Sequence, residues 1–246
     1  MKYKHLFFDL DGTLWDLFKN TEIALIQLLD PLEQRGFRIE NFEQFYRRYH
    51  IHNDRVWSLY RAGKMDKHIL RTERFKMAFN DINLHVPDET IDWLANSFLD
   101  ICPKLPHLLP GTLDMLEALK DHYTMHIITN GFQEVQGFKM KAGRLDGYFS
   151  EIINSEDAGV KKPDPGIFEY ALNRAGAKPE ESLMIGDDWD ADILGSRDFG
   201  MDQAYITSSE LRMAEMKGKE KTETRHNYKP TFVVNHLSEL QAILKQ

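Results

Sequence analysis

The sequence predicts an α/β protein: an open parallel sheet with helices on both faces, interrupted after its first strand by a helical insert. Three observations predict it. Short β-rich runs recur along the chain, each ending in a polar or glycine cluster. Helical patterns alternate with them. One block, from Asp16 to about Asp100, has no clear strand. Nearly continuous apolar runs of four to six residues suit strands buried on both faces, as parallel sheets require. Alternation of β and α in this order argues an open sheet.

The expected strands are HLFF (His5 to Phe8), MHIIT (Met125 to Thr129), EIIN (Glu151 to Asn154), SLMIGD (Ser182 to Asp187), QAYIT (Gln203 to Thr207) and TFVV (Thr231 to Val234). Between them, Thr112 to Asp121 carries Leu113, Leu116 and Leu119 at helical spacing. Pro165 to Ala175 opens with proline in its first turn and repeats apolar residues at Ile167, Phe168, Ala171 and Leu172. Asp190 to Phe199 and Leu237 to Leu244 fit the same template, with Asp190 as the simplest N-cap of its helix.

The strandless block reads as four amphipathic helices: NTEIALIQLLDPLEQRGF with a break expected at Pro31, then FEQFYRRYHIHNDRVWSLYRAG, DKHILRTERFKMAFNDI and DETIDWLANSFLDI. Pro103, Pro106, Pro110 and Gly111 mark the return to the sheet. The expected domains are therefore a core of 1–15 and 105–246 and a helical domain of 16–104. Ser208 to Pro230, mixed in charge and poor in apolar residues, reads as a solvated excursion.

Composition narrows the function classes. The 246 residues are 42% hydrophobic and 28% charged, with a net charge of −8 and a pI near 5.7. No basic stripe appears, so no nucleic-acid polymer is expected as a partner. No run approaches the roughly 20 apolar residues of a membrane span. Three apolar residues before Asp9 are too few for a secretory leader. A single cysteine, Cys102, forms no intrachain disulfide and suits a reducing cytoplasm.

The chemistry gathers where strands end. HLFFDLDGTLWD places Asp9 and Asp11 directly after an apolar run. Two carboxylates so close are costly unless a cation sits between them or one keeps a proton. Open sheets place their sites outside the carboxyl ends of the strands. That edge also receives Thr129 and Asn130, Asp187 with its neighbouring acids, and Lys162 shortly after the third strand.

DLDGT, TNG, KKPDPGIF and GDDWDAD, in that order, resemble the four motifs of the haloacid dehalogenase superfamily of phosphohydrolases. The resemblance covers the chain apart from the insert and the Ser208–Pro230 excursion. It implies a Rossmann-like core with a small helical cap. It implies that Asp9 is the nucleophile and forms an aspartyl-phosphate, and that Asp11 is the acid that protonates the leaving alcohol and then the base for water. Gly12 and Thr13 would shape and hold the loop under the phosphate, and Thr129 with the Asn130 and Gly131 amides would bind it. Lys162, which directly precedes the proline, would offset the charge; Lys161 is expected in solvent. Mg²⁺ would be held by Asp9, the Asp11 carbonyl and Asp187, with Asp192 orienting its waters or the lysine. The part taken by Asp188 stays open. Asp11 argues for phosphoryl transfer over dehalogenation, and no single lysine among Lys64, Lys67 and Lys76 stands out for phosphonate cleavage.

The cap stretches NDRVW and TERF, with TNGF, look like the branch that includes noncanonical pyrimidine nucleotidases. Trp57 and Tyr60 would stack a base and Asn53 or Arg55 hydrogen-bond it, or the aromatic pair packs the bundle. The expected protein is a cytoplasmic phosphatase of small phosphate esters, nucleoside 5′-monophosphates foremost, monomeric or homodimeric. Sugar-phosphate or phosphoglycolate hydrolysis, phosphomutase activity and a non-catalytic binding role are the alternatives.

Overall fold

The computed structural model describes residues 2–218 and 228–245. The chain enters through β1 (His5–Phe8) and continues into four long helices, α1 (Leu17–Gln34), α2 (Phe42–Arg61), α3 (Lys67–Asp81) and α4 (Asp88–Ile101). It returns through α5 (Thr112–Leu119), β2 (Thr124–Thr129), α6 (Gln133–Ala142), β3 (Glu151–Asn154), α7 (Ser155–Ala158) and α8 (Pro165–Ala175). Then follow β4 (Ser182–Gly186), a wide-turned π segment (Trp189–Leu194), α9 (Gly195–Phe199), β5 (Asp202–Ile206), α10 (Ser208–Met216), β6 (Phe232–Val234) and α11 (Leu237–Leu244).

The six strands form one all-parallel sheet in the order β3-β2-β1-β4-β5-β6. Strand order reverses at β1, with β2 on one side and β4 on the other. Phe8 pairs with Ile127 and with Ile185, so the next residues of all three strands leave the same edge side by side. A reversal of this kind opens a crevice at the carboxyl edge. Phe7, Ile128, Ile153 and Met184 on the strands pack with Ile167, Phe168, Ala171 and Leu172 of α8. Each large side chain buried there contributes about 1.5–3 kcal/mol. Asp164 caps α8 by accepting from Gly166 N, and Pro165 fills its first position.

The described chain divides into two compact units: 2–17, 106–212 and 228–245 form one, and 18–105 with 213–218 the other. The first contains the sheet. The second differs from the expected helical domain by gaining the end of α10, where Lys217 Nζ pairs with Asp54 Oδ2 at 2.9 Å. Within this unit Phe45, Tyr49, Phe75, Phe79 and Phe98 form a buried aromatic core.

Three local expectations are corrected. α1 runs unbroken through Pro31 to Gln34. The proline lies in the last turn, where one lost backbone bond costs little, and buried Leu28 and Leu32 hold it. The cap before β5 is Asp188, which accepts from Asp190 N and Ala191 N, because the turn begins at Trp189; Asp190 is exposed. The Ser208–Pro230 stretch opens as helix α10, and 219–227 lie outside the described residues. Cys102 is buried, as a small apolar side chain would be. Among the described residues no helix is long and apolar enough to cross a membrane.

His126 lies in β2, its ring stacked on Phe7 at 4.6 Å and its Nε2 3.1 Å from His5 Nδ1. Burial, with His5 adding to it, pushes its pKa down to about 4 from the usual 6.5. Between those values the unfolded chain binds a proton that the fold refuses. His126 therefore contributes stability above pH 6.5 that is lost as pH falls toward 4. Urea unfolding from pH 7.5 to 4.5 should show a shallower loss in His126→Phe than in the wild type. Identical slopes would remove His126 from the acid sensitivity.

Candidate active site

Asp9 is the first residue beyond β1, and its N–H still donates to Ile185 O of β4 at 2.9 Å. The sheet hydrogen bonding thus carries the carboxylate to the edge before the chain turns. Lys162 arrives from the loop before α8 and is 1% exposed. Its Nζ donates to Asp9 Oδ1 at 2.7 Å and to Ile128 O at 2.7 Å, and pairs with Asp192 Oδ1 at 2.6 Å. Two hydrogen bonds and one close ion pair hold the ammonium. Asn130 holds the lysine's backbone: Lys162 N donates to Asn130 Oδ1 and Asn130 Nδ2 donates to Lys162 O, both at 2.9 Å. Lys161 is half-buried beside it.

Asp187 follows β4. Thr13 Oγ1 donates to its Oδ1 at 2.8 Å. Ser209, at the start of α10, lies close by and its Oγ donates to Gly12 O at 3.1 Å. Gly12 has φ +90°, and a Cβ there would stand 2.3 Å from Asp187 Oδ2. Only glycine permits this turn and this approach. Asp192 lies fully buried in the π segment, where its Oδ2 accepts from Asp188 N at 3.0 Å.

One oxygen each of Asp9, Asp187 and Asp192 can be chosen with all of them within 4.8 Å of one another. Burial pushes the Asp9 pKa up to about 7, Asp192 and Asp11 adding to it and Lys162 opposing it. Burial, then Asp9 and Asp192, holds Asp187 well above the usual carboxylate range. Asp192 is raised by burial against the pull of Lys162. Burial alone would lower Lys162, but Asp192 and Asp9 outweigh it and hold it above its ordinary value. Three carboxylates around one ammonium leave a charge deficit. Hard oxygen donors in that arrangement, two buried and one half-buried, fit a divalent cation of the Mg²⁺ type.

The expected residues divide into three groups. Asp9, Lys162, Asp187 and Asp192 come together. Asp11 turns the other way: Lys139 Nζ donates to Oδ1 at 2.6 Å and Oδ2 at 2.8 Å, and Gln136 Nε2 donates to Oδ2 at 3.1 Å. Thr129 Oγ1 accepts from Gln136 Nε2 at 2.7 Å and from Gly131 N at 3.0 Å, so the Gly131 amide serves the hydroxyl rather than a ligand. Thr13 and the Asn130 side chain support Asp187 and Lys162. In the helical unit, Asn53 is buried and its Oδ1 accepts from Arg74 Nη1 at 3.1 Å. Trp57 is half-buried edge-on to buried Tyr60, with ring centroids 5.6 Å apart, and Arg55 is exposed.

Sequence reasoning missed Gln136, Lys139 and Ser209. The first two ride on α6, whose QEVQGFKMKA is too polar for an apolar stripe. The available signal was position: a polar stretch straight after a site-bearing strand, with Gln and Lys three apart.

Fold and site together point to a hydrolase built on an open α/β sheet, with a cluster of carboxylates at its edge. A family model described as haloacid dehalogenase-like hydrolase matches residues 3–200, and the chain belongs to that family. It is 30% identical over 246 residues to the pyrimidine 5′-nucleotidase YjjG of Escherichia coli (strain K12), covering 99% of each chain. It is 29% identical to a glyceraldehyde 3-phosphate phosphatase of Methanothermobacter thermautotrophicus, over 98% of this chain and 99% of the relative. Among solved structures, magnesium-bound HAD-hydrolase YfnB from Bacillus subtilis aligns over 100% of both chains with a TM-score of 0.82 and 25% identity.

Gly12→Ala should unfold at lower urea, with at least about 1 kcal/mol lost to backbone strain alone. Ser209→Ala in the same background should not recover it, because the closest clash is with Asp187. An unchanged midpoint in Gly12→Ala would refute the tight packing of this turn.

Proposed function

We propose that the protein is a Mg²⁺-dependent phosphomonoester hydrolase that works through an aspartyl-phosphate on Asp9, with nucleoside 5′-monophosphates as its foremost substrates. The observation that carries this is the cluster of Asp9, half-buried Asp187 and Asp192, in which Lys162 pairs with Asp9 and Asp192. A site so short of positive charge suits a ligand that brings a cation and an anion together.

Lys162 binds Oδ1 of Asp9. Among the described residues no hydrogen bond engages Oδ2, which is the oxygen that attacks phosphorus. The new Asp9 Oδ2–P bond forms as the P–O ester bond breaks, and the leaving oxygen takes a proton from Asp11. Asp11, now a carboxylate, removes a proton from water. That water attacks the aspartyl-phosphate, freeing phosphate and Asp9. Thr129 and Lys162 stabilise the phosphoryl oxygens as charge moves onto them. A divalent cation held by Asp9, Asp187 and Asp192, with the Asp11 carbonyl, would supply further positive charge against those oxygens.

The substrate class draws on the names of the relatives, a pyrimidine 5′-nucleotidase and a triose-phosphate phosphatase among them. Within the helical unit Trp57 is the candidate for stacking a base, because Asn53 is already engaged by Arg74.

Phosphate release should be measured from p-nitrophenyl phosphate, pyrimidine and purine 5′-monophosphates, glyceraldehyde 3-phosphate, other sugar phosphates and phosphoglycolate, with Mg²⁺ and with chelator. Turnover is expected with Mg²⁺ alone, and Asp9→Asn should lower kcat by at least about 1,000-fold. Pyrimidine monophosphates should lead by tenfold or more in kcat/KM, about 1.4 kcal/mol of transition-state preference. A lead by sugar or triose phosphates keeps the chemistry and overturns the nucleotide substrate. An unchanged nucleotide KM in Trp57→Ala overturns stacking.

A further inference from the structure

We infer that Lys139 and Gln136, one turn apart on α6, are the positioning pair that makes Asp11 an effective proton donor to the leaving group. The inference rests on the phosphatase reading of the site and goes beyond it. Neither residue belongs to the carboxylate cluster.

The geometry is specific. Lys139 Nζ spans both oxygens of Asp11 at 2.6 and 2.8 Å, a side-on grip that fixes the plane of the carboxyl group. Lys139 is 8% exposed, and its ammonium sits 4.7 Å from the ring centroid of the fully buried Trp15. The aromatic face braces it on the side away from bulk water. Trp15 is tied to the same turn, since Gly12 N donates to Trp15 O at 2.9 Å. Lysine, aspartate and loop therefore hold one another in place.

Gln136 links this pair to the phosphate-binding hydroxyl. It is 3% exposed, and its Nε2 donates both to Asp11 Oδ2 and to Thr129 Oγ1. The amide nitrogen faces inward, toward two oxygens that accept from it. Thr129 Oγ1 accepts from Gln136 and Gly131, which fills both of its lone pairs. Its own hydrogen is left to donate outward, to a phosphoryl oxygen. A Cβ on Gly131 would stand 1.9 Å from Gln136 Nε2, so residue 131 must be glycine for the amide to reach.

The two residues act at one moment of the reaction. As the P–O ester bond breaks, the leaving oxygen takes the Asp11 proton and negative charge appears on the Asp11 carboxylate. Lys139 is already placed on that charge, and no group must move to meet it. The gain is largest for leaving groups that need a proton. Alkoxides need one; p-nitrophenolate does not.

The test is the ratio of kcat/KM on an alkyl phosphate, the best one of the wild-type panel, to kcat/KM on p-nitrophenyl phosphate, with Mg²⁺ and full-length protein. This quotient reports steps up to departure of the alcohol. The ratio should fall tenfold or more in Lys139→Met and at least threefold in Gln136→Leu. It should return to within threefold of the wild type in Lys139→Arg, whose guanidinium also grips a carboxylate side-on. A merely structural role lowers both esters alike, and equal losses, or none, overturn the proposal. Where thermal unfolding shows Lys139→Met to be unfolded, the ratio in Gln136→Leu decides. Wild-type protein that releases no phosphate from either ester overturns the phosphatase reading instead, and the proposal falls with it.

Discussion

The ammonium of Lys162 organises everything around it. An unpaired charge inside a protein costs several kcal/mol, so a lysine at 1% exposure persists only where opposite charge and acceptors surround it. Here Asp9 and the carbonyl of Ile128 accept its protons, and the Asp192 carboxylate lies 2.6 Å away. The requirement works in both directions. Without Lys162, Asp9 and Asp192 would stand together as buried like charges; without the two carboxylates, the lysine could not remain ionised where it is. Even so, one cation among three acids is too few, and the raised Asp9 and Asp187 show it. The surplus of negative charge is one that a cation would relieve.

That demand explains details that otherwise look incidental. Asn130 spends its whole side chain on the backbone of Lys162. A Cβ on Gly186 would lie 2.2 Å from Asp192 Oδ2, so the end of β4 must be bare for Asp192 to reach inward. Thr13 and Ser209 approach Asp187 with hydroxyls, which stabilise the ionised form without adding charge. The parallel sheet supplies the frame: β2, β1 and β4 lie side by side and end within two residues of one another, so Thr129, Asp9 and Asp187 reach one edge despite lying far apart in sequence.

Much of this was legible in the chain. All six strands announced themselves as apolar runs: the four inner ones are buried on both faces, and the edge strands β3 and β6 stay apolar although Ile152 and Val233 are exposed. The four helices of the insert were legible from their amphipathic spacing. The cluster of acids was legible because Asp9 and Asp187 directly follow strands, with Asp192 five residues beyond Asp187. What escaped notice did so for physical reasons. α6 turns only a few side chains inward, and two of the buried ones, Gln136 and Lys139, are polar; a hydrophobic pattern cannot reveal a face that is buried for hydrogen bonding. The Asp188 cap was misjudged because DDWDAD offers several acids in succession, and the turn's starting residue decides among them. Ser209 lies in a charged stretch that resembles solvated chain, yet its hydroxyl reaches Gly12 O.

How can two aspartates separated by one residue avoid repelling each other? The structure gives each its own cation. Leu10 between them is fully buried, Asp9 keeps its sheet hydrogen bond, and the chain turns at Gly12 with φ +90°. Asp9 therefore faces Lys162 and Asp11 faces Lys139. The separation matters for chemistry as well as stability. A nucleophile must stay unprotonated while it attacks, whereas an acid must hold a proton and release it at one moment. Two groups in one electrostatic environment would compete for the same proton. A single glycine-permitted turn sends them to different lysines, which would let neighbouring carboxylates take the opposite roles of the proposed mechanism.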